Sequence, residues 1–237
     1  LSLSVVAREF KKNVGAQMLH KPLTFIENKG QVTDEHNAAR KDIQYKLAAP
    51  GMSLYVGNTG LHYQFKKVDN IADVNPSIRT YTMDVALIGA NPNAQVIASD
   101  KQAYYESYFM PQTGNDGITA HAWNKITYKE VYPNIDWVLY VKGEKVEYDF
   151  VVRPGGNVAD IKLAYDGATQ LTIGADGSLT ASTPMGSVTE HTPFAYETGS
   201  GKAVKSAFKL DNNILSFETG SYKGSLTIDP FLQWSTF

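Results

Sequence analysis

Three carboxylates, Asp136, Glu147 and Asp149, form the densest group of reactive side chains in this sequence. They sit in residues 131–156, V-Y-P-N-I-D-W-V-L-Y-V-K-G-E-K-V-E-Y-D-F-V-V-R-P-G-G. Glu147 and Asp149 are two positions apart, so on a strand they project from one face with their backbones about 7 Å apart. Asp136 falls diagonal to Asp149 on the partner strand. Such a group can offer oxygen ligands to Ca²⁺ or supply the acid and nucleophile of a glycosidase. The plainer reading is a solvated strand face whose repulsion Arg153 and nearby lysines relieve, because structural ion-pair networks produce the same clusters. That reading leads, and no catalytic residue is assigned.

A second group is aromatic: Tyr104-Tyr105-Glu106-Ser107-Tyr108-Phe109, with Trp123 further on. On a strand, Tyr104, Glu106 and Tyr108 share one face, and Tyr105 and Phe109 the other. One face belongs to a core; the other offers a sugar-stacking platform rimmed by a carboxylate, with Tyr104, Tyr108 and Trp123 as the rings that would carry it. Ordinary cross-strand packing is the alternative that leads. The histidines (His20, His36, His62, His121, His191) are scattered without metal-ligand spacing, and no G-x-S-x-G elbow occurs. Around Gly30, the polar Glu27, Asn28 and Gln31 suggest a turn whose side chains satisfy backbone groups.

The elements that must position these groups are strands. In residues 135–153 apolar and polar positions alternate with period 2 on both sides of Gly143-Glu144, which predicts a hairpin with a two-residue turn. Its register sets Lys142 against Lys145, Tyr140 against Glu147, Val138 against Asp149 and Asp136 against Val151. One face then collects Ile135, Trp137, Leu139, Val141, Val146, Tyr148, Phe150 and Val152. A slip of one residue would drive the carboxylates into the core, so the register is tightly specified.

Beyond the hairpin, short strand patterns recur from Ile43 onward. They are bounded by turn signals such as Gly57-Asn58-Thr59-Gly60, Asn91-Pro92-Asn93 and Ala175-Asp176-Gly177. The expectation is an all-β chain: an antiparallel β-sandwich, or two packed sandwich halves, with little helix. Residues 1–20 read as a separate N-terminal segment, a short helix over 5–19 or the remnant of a signal peptide, and residues 21–237 as the β module. The polar Gly-rich stretch 111–120 is the one place where that module would subdivide.

Composition limits the function classes. The chain has 237 residues, 43% hydrophobic and 11% aromatic, enough for a substantial core. A net charge of −2 without a Lys/Arg block argues against nucleic acid. The absence of cysteine removes disulfides and thiolate chemistry, and no apolar run approaches the ~20 residues of a membrane span. No cofactor is expected, Ca²⁺ on the acidic face being the single candidate.

Several motifs together carry a resemblance. They are Phe25-x-Glu27-Asn28-x-Gly30-Gln31, Val85-x-Leu87-x-Gly89-Ala90-Asn91-Pro92, and Trp123 followed by Tyr128-x-x-Val131-Tyr132-Pro133-x-Ile135-Asp136. Glu147-Tyr148-Asp149-Phe150-Val151-Val152-x-Pro154-Gly155 and Ile228-Asp229-Pro230-x-Leu232-x-x-Ser235-Thr236 complete the series. The chain resembles, from about Lys21 to Phe237, the domain of unknown function found just ahead of SBBP (beta-propeller) repeats in large bacterial surface proteins. That pattern has Gly where this chain has Asn134, and an aliphatic residue where it has Trp137. The resemblance implies an all-β module of an exported multidomain protein; with the all-β patterning and the absence of catalytic motifs, the expectation is a non-catalytic module, secreted or at the cell surface, supporting adhesion or assembly. Its partners would be downstream repeat domains of the same polypeptide, often with a type nine secretion sorting domain, and surface glycans or other surface proteins. A carbohydrate-binding module and a glycan-processing enzyme using Asp136, Glu147 and Asp149 are the alternative expectations.

Overall fold

The computed structural model describes residues 22–69 and 77–236, and the expectations for residues 1–20 lie outside that range. Strand accounts for 63% of the described chain and helix for 3%. The first seven strands are β1 (Phe25–Glu27), β2 (Ile43–Ala49), β3 (Met52–Gly57), β4 (Gly60–Asp69), β5 (Ser77–Leu87), β6 (Gln95–Tyr108) and β7 (Ile118–Tyr132). Then come β8 (Ile135–Lys142), β9 (Lys145–Val152), β10 (Lys162–Asp166), β11 (Gln170–Ile173), β12 (Leu179–Thr183) and β13 (Gly186–Glu190). The last six are β14 (Phe194–Glu197), β15 (Ala203–Val204), β16 (Ser206–Asp211), β17 (Ile214–Thr219), β18 (Leu226–Asp229) and β19 (Phe231–Thr236). Two single 3-10 turns, Pro111–Thr113 and Val158–Asp160, are the only helical pieces among the described residues.

The named strands pair antiparallel in one connected network. From β16 it runs through β17, β10, β5, β4, β3, β2 and β1 to β7. It continues through β8 and β9, which is shared by β18 and β19; β18 leads on to β14 and β15, and β19 to β13, β12 and β11. The all-β antiparallel expectation is met, in the form of a nearly closed, barrel-like sheet. The strands join in one connected ladder, with β9 shared by β8, β18 and β19 and β10 by β5 and β17, rather than in two separately paired sheets.

The β8–β9 hairpin has the register its alternation predicts, Lys142 against Lys145 through Ile135 against Val152. Its apolar face is buried except for half-buried Val141. Gly143 has φ +65° at the first turn position, as a type II′ turn demands. At the other end of β8, Pro133-Asn134 joins β7 to β8, with Asn134 at φ +60°. Pro followed by a left-handed residue is type II turn chemistry. Asn occupies the left-handed region more readily than other non-glycine residues, which accounts for Asn where the resembling pattern has Gly.

Two strands run further than their patterns indicate. Gln95–Tyr108 is one strand with a register shift between Lys101 and Tyr105, where the alternation suggests two. Strand β7 begins at Ile118, ahead of where its alternation is visible, since the inward residues Ala120 and Ala122, fully buried, are too small to give a strong period-2 signal. The polar stretch 111–120 is the tip of this β6–β7 hairpin, where Tyr108 already pairs with Ile118. The core centres on Trp137, which lies 5.2 Å from Tyr128 and 6.4 Å from Phe150 between ring centroids. Phe150 in turn meets Tyr148 and Phe217 edge-on. Burying each such side chain contributes roughly 1.5–3 kcal/mol.

Candidate functional site

The acidic face of the hairpin is not the solvated face expected, since Asp136 and Glu147 are buried and Asp149 is half-buried, and it divides into two arrangements. Asp136 is 5% exposed and sits beside an irregularity of β7, where Glu130 adopts φ +52° and pairing is interrupted between Tyr128 and Tyr132. Its Oδ1 accepts the Glu130 N–H at 2.9 Å. Its Oδ2 meets Arg153 Nη1 at 2.6 Å and accepts from Lys129 Nζ. Burial alone would raise the Asp136 pKa, but the Arg153, Lys129 and Glu130 donors outweigh it and hold the carboxyl below the usual range. This is a carboxylate closing an irregular strand, with its charge matched by two cations.

Glu147 and Asp149 face a residue that sequence spacing did not bring to them. Strand β18 pairs with β9 through Ile228 opposite Phe150, so the same antiparallel register carries Asp229 next to Asp149. The Tyr140 hydroxyl donates to Asp149 Oδ1 at 3.1 Å and lies 3.5 Å from Asp229 Oδ1. Glu147 is 8% exposed and has Lys142 Nζ 3.8 Å away. Burial and the neighbouring Asp229 charge push the Asp149 carboxyl up to about 7. Burial, then Glu147, raises Asp229 as well. The Tyr140 phenol rises through its own burial and the Asp149 charge. Chemically, burial and a like charge beside it both favour the protonated form of Asp149 over the carboxylate. Among the described residues, no group of three or more His, Cys, Asp or Glu side chains is arranged to hold a metal ion.

The aromatic group is likewise built into the sheet. The Tyr104 and Tyr108 hydroxyls both donate to Glu106, one to each oxygen, at 3.0 Å for Tyr104. The two rings pack against Ile26, Ala120 and Ala122. Trp123 is half-buried between β1 and β6, with Lys101 Nζ 5.7 Å from its ring centroid. The rings of this segment that stand open are Tyr105 and Phe109, 57% and 75% exposed. Near Gly30, Asn28 Nδ2 donates to the carbonyls of Arg40 and Ile43, and its Oδ1 accepts from the Gly30 and Val32 N–H groups. Gln31 donates to the Glu27 carbonyl, so these polar residues do tie a turn together.

Two further groups come from pairs far apart in sequence. Inside the sheet, Glu190 is 2% exposed and accepts from the hydroxyls of Tyr148, at 2.5 Å, and Tyr165. Burial raises its pKa, against the two phenol donors that lower it. Its inward position follows the parity of Gly186 and Val188 on β13, a signal that the polar residue type disguised. On the outer surface, His62 on β4 faces Asp84 on β5, with Nδ1 2.8 Å from Oδ1. They line a cleft of about 530 Å³ together with residues of the segment 32–43. The separation of 22 residues between His62 and Asp84 hides the pair until the β4–β5 register is known.

Comparison with known proteins returns one family. The model described as Domain of unknown function (DUF7948) matches residues 25–231. No curated protein and no solved structure matches the chain.

Proposed function

We propose that this chain, which belongs to the family Domain of unknown function (DUF7948), acts as a non-catalytic β module of an exported bacterial protein. In this reading it is a rigid unit at or outside the cell surface that supports adhesion or assembly, followed in its polypeptide by SBBP-type repeats and a type nine sorting domain. The observation that carries the non-catalytic part is the state of the hairpin carboxylates. Asp136 is sealed by Arg153 and Lys129, and Asp149 is tied to Tyr140 beside Asp229. A glycosidase pair must face each other across room for a sugar and a water, whereas these side chains face partners of their own sheet. The bacterial surface address rests on the motif resemblance.

Two measurements test the reading. Release of reducing ends from a panel of bacterial and plant polysaccharides is expected to stay at background, and turnover that disappears in Glu147→Gln would replace the module with an enzyme. Fractionation of the producing bacterium is expected to find the full-length protein in the outer-membrane or culture-fluid fraction. Recovery in the cytosol alone would remove the exported reading.

A further inference from the structure

We infer that the cleft over β3, β4 and β5 is a binding site for a neutral, hydroxyl-rich ligand, a saccharide unit. Its floor is the outward face of three neighbouring strands: Tyr55 on β3, His62 and Gln64 on β4, and Thr82 and Asp84 on β5. The rest of the lining comes from the 32–43 segment and includes Arg40. That segment is held in place by the Asn28 side chain and by Asp34, whose Oδ1 accepts the N–H groups of His36 and Ala38. The cleft's volume of about 530 Å³ lies within the range of small-ligand sites. It is separate from the hairpin carboxylates, and the inference does not depend on where the protein resides.

The chemical class follows from which polar atoms are already engaged. The Tyr55 hydroxyl donates to Gln64 Oε1 at 3.3 Å, leaving both amide hydrogens of Gln64 without a partner among the described residues. His62 Nδ1 is engaged by Asp84 Oδ1, which leaves Asp84 Oδ2 to accept and His62 Nε2 open to a hydroxyl, which can serve it as donor or acceptor. Arg40 holds Asp42 through Nε and Nη2, and its Nη1 remains a donor. The Thr82 hydroxyl can do either. Asp34, Glu35 and Asp84 outnumber Arg40 in the lining, which disfavours phosphate, sulfate or carboxylate ligands. A cation would satisfy Asp84 and leave the Gln64 and Arg40 donors facing it unpaired. Hydroxyl groups donate and accept together, so a sugar matches both sets at once.

The test is residue-resolved NMR of the full chain with soluble cello-, xylo-, manno-, malto- and N-acetylchito-oligosaccharides, each raised to about 10 mM, well above a millimolar Kd. At least one series is expected to shift the amides of Tyr55, His62, Gln64 and Asp84 saturably. Asp84→Ala and, independently, Gln64→Ala should each weaken that binding about tenfold or more, as loss of a hydrogen bond to a ligand does. Both side chains are at the surface, and an unchanged melting temperature verifies that each variant is folded. Inorganic phosphate and a lysine-rich peptide serve as contrasts. The inference is overturned by an absence of shifts with every saccharide, by shifts centred on Tyr105 and Phe109 instead, by indifference to both substitutions, or by stronger binding of either contrast probe.

Discussion

Asp149 on β9 and Asp136 on β8 are carboxylates on the same face of one hairpin with opposite electrostatics. The cause is what each one touches. Asp149 lies beside Asp229 and is pushed up to about 7, chiefly by burial, so it binds a proton more tightly folded than unfolded. Its contribution to stability is complete below the unfolded carboxylate pKa near 4 and is lost as pH rises through about 7. We expect urea-measured stability to fall by on the order of a few kcal/mol between pH ~4.5 and ~7.5, and Asp149→Asn to flatten that decline. An unchanged slope in the variant would reassign the effect. Asp136, held low by Arg153 and Lys129 against its burial, contributes stability above the unfolded value and loses it in acid. In the core, Tyr148→Phe removes one of the two phenol donors to buried Glu190. A loss of about 1–3 kcal/mol in urea unfolding is expected, the cost of an under-satisfied buried acceptor.

At the scale of elements, tight turns hold the ladder in register. Asn134, left-handed at φ +60°, links β7 to β8 in the place where the resembling pattern has Gly. Asn134→Gly is therefore expected to leave thermal stability nearly unchanged. Asn134→Ala should cost about 1–2 kcal/mol, the strain of that conformation for an ordinary side chain. At the start of β4, a Cβ on Gly60 would lie 2.3 Å from the Val85 carbonyl oxygen on β5. Gly60→Ala must separate β4 from β5, and faster amide exchange at Leu61 and Ala86 would register it. These elements were largely legible in advance. The β8–β9 register follows from alternation alone, because a slip of one residue would turn the continuous apolar set, Trp137 included, away from the core. Less legible were β1, only Phe25–Glu27, and the first half of β7, where small inward alanines carry little hydrophobic signal.

For the whole molecule, near-closure depends on strands that join distant segments. Strand β10 is one of them: Leu163 pairs with Leu87 on β5 and with Leu215 on β17. Leu163 is 2% exposed. Leu163→Ala is expected to cost about 2–5 kcal/mol, with tryptophan fluorescence and far-UV circular dichroism lost together. Separate transitions for the two probes would mean that the sheet unfolds in pieces rather than as one ladder.

The amino-acid sequence by itself determined the structural class, the hairpin register and which hairpin residues face the core, because period-2 alternation and turn chemistry act between near neighbours. Tertiary structure decided the rest. Asp229 joins Asp149 through the pairing of β18 with β9, Glu190 meets Tyr148 and Tyr165 inside the sheet, and His62 meets Asp84 through the register of β4 on β5. Burial and proximity set a carboxylate's charge state and a surface group's free hydrogen-bonding capacity, and both quantities exist only once those strands have met.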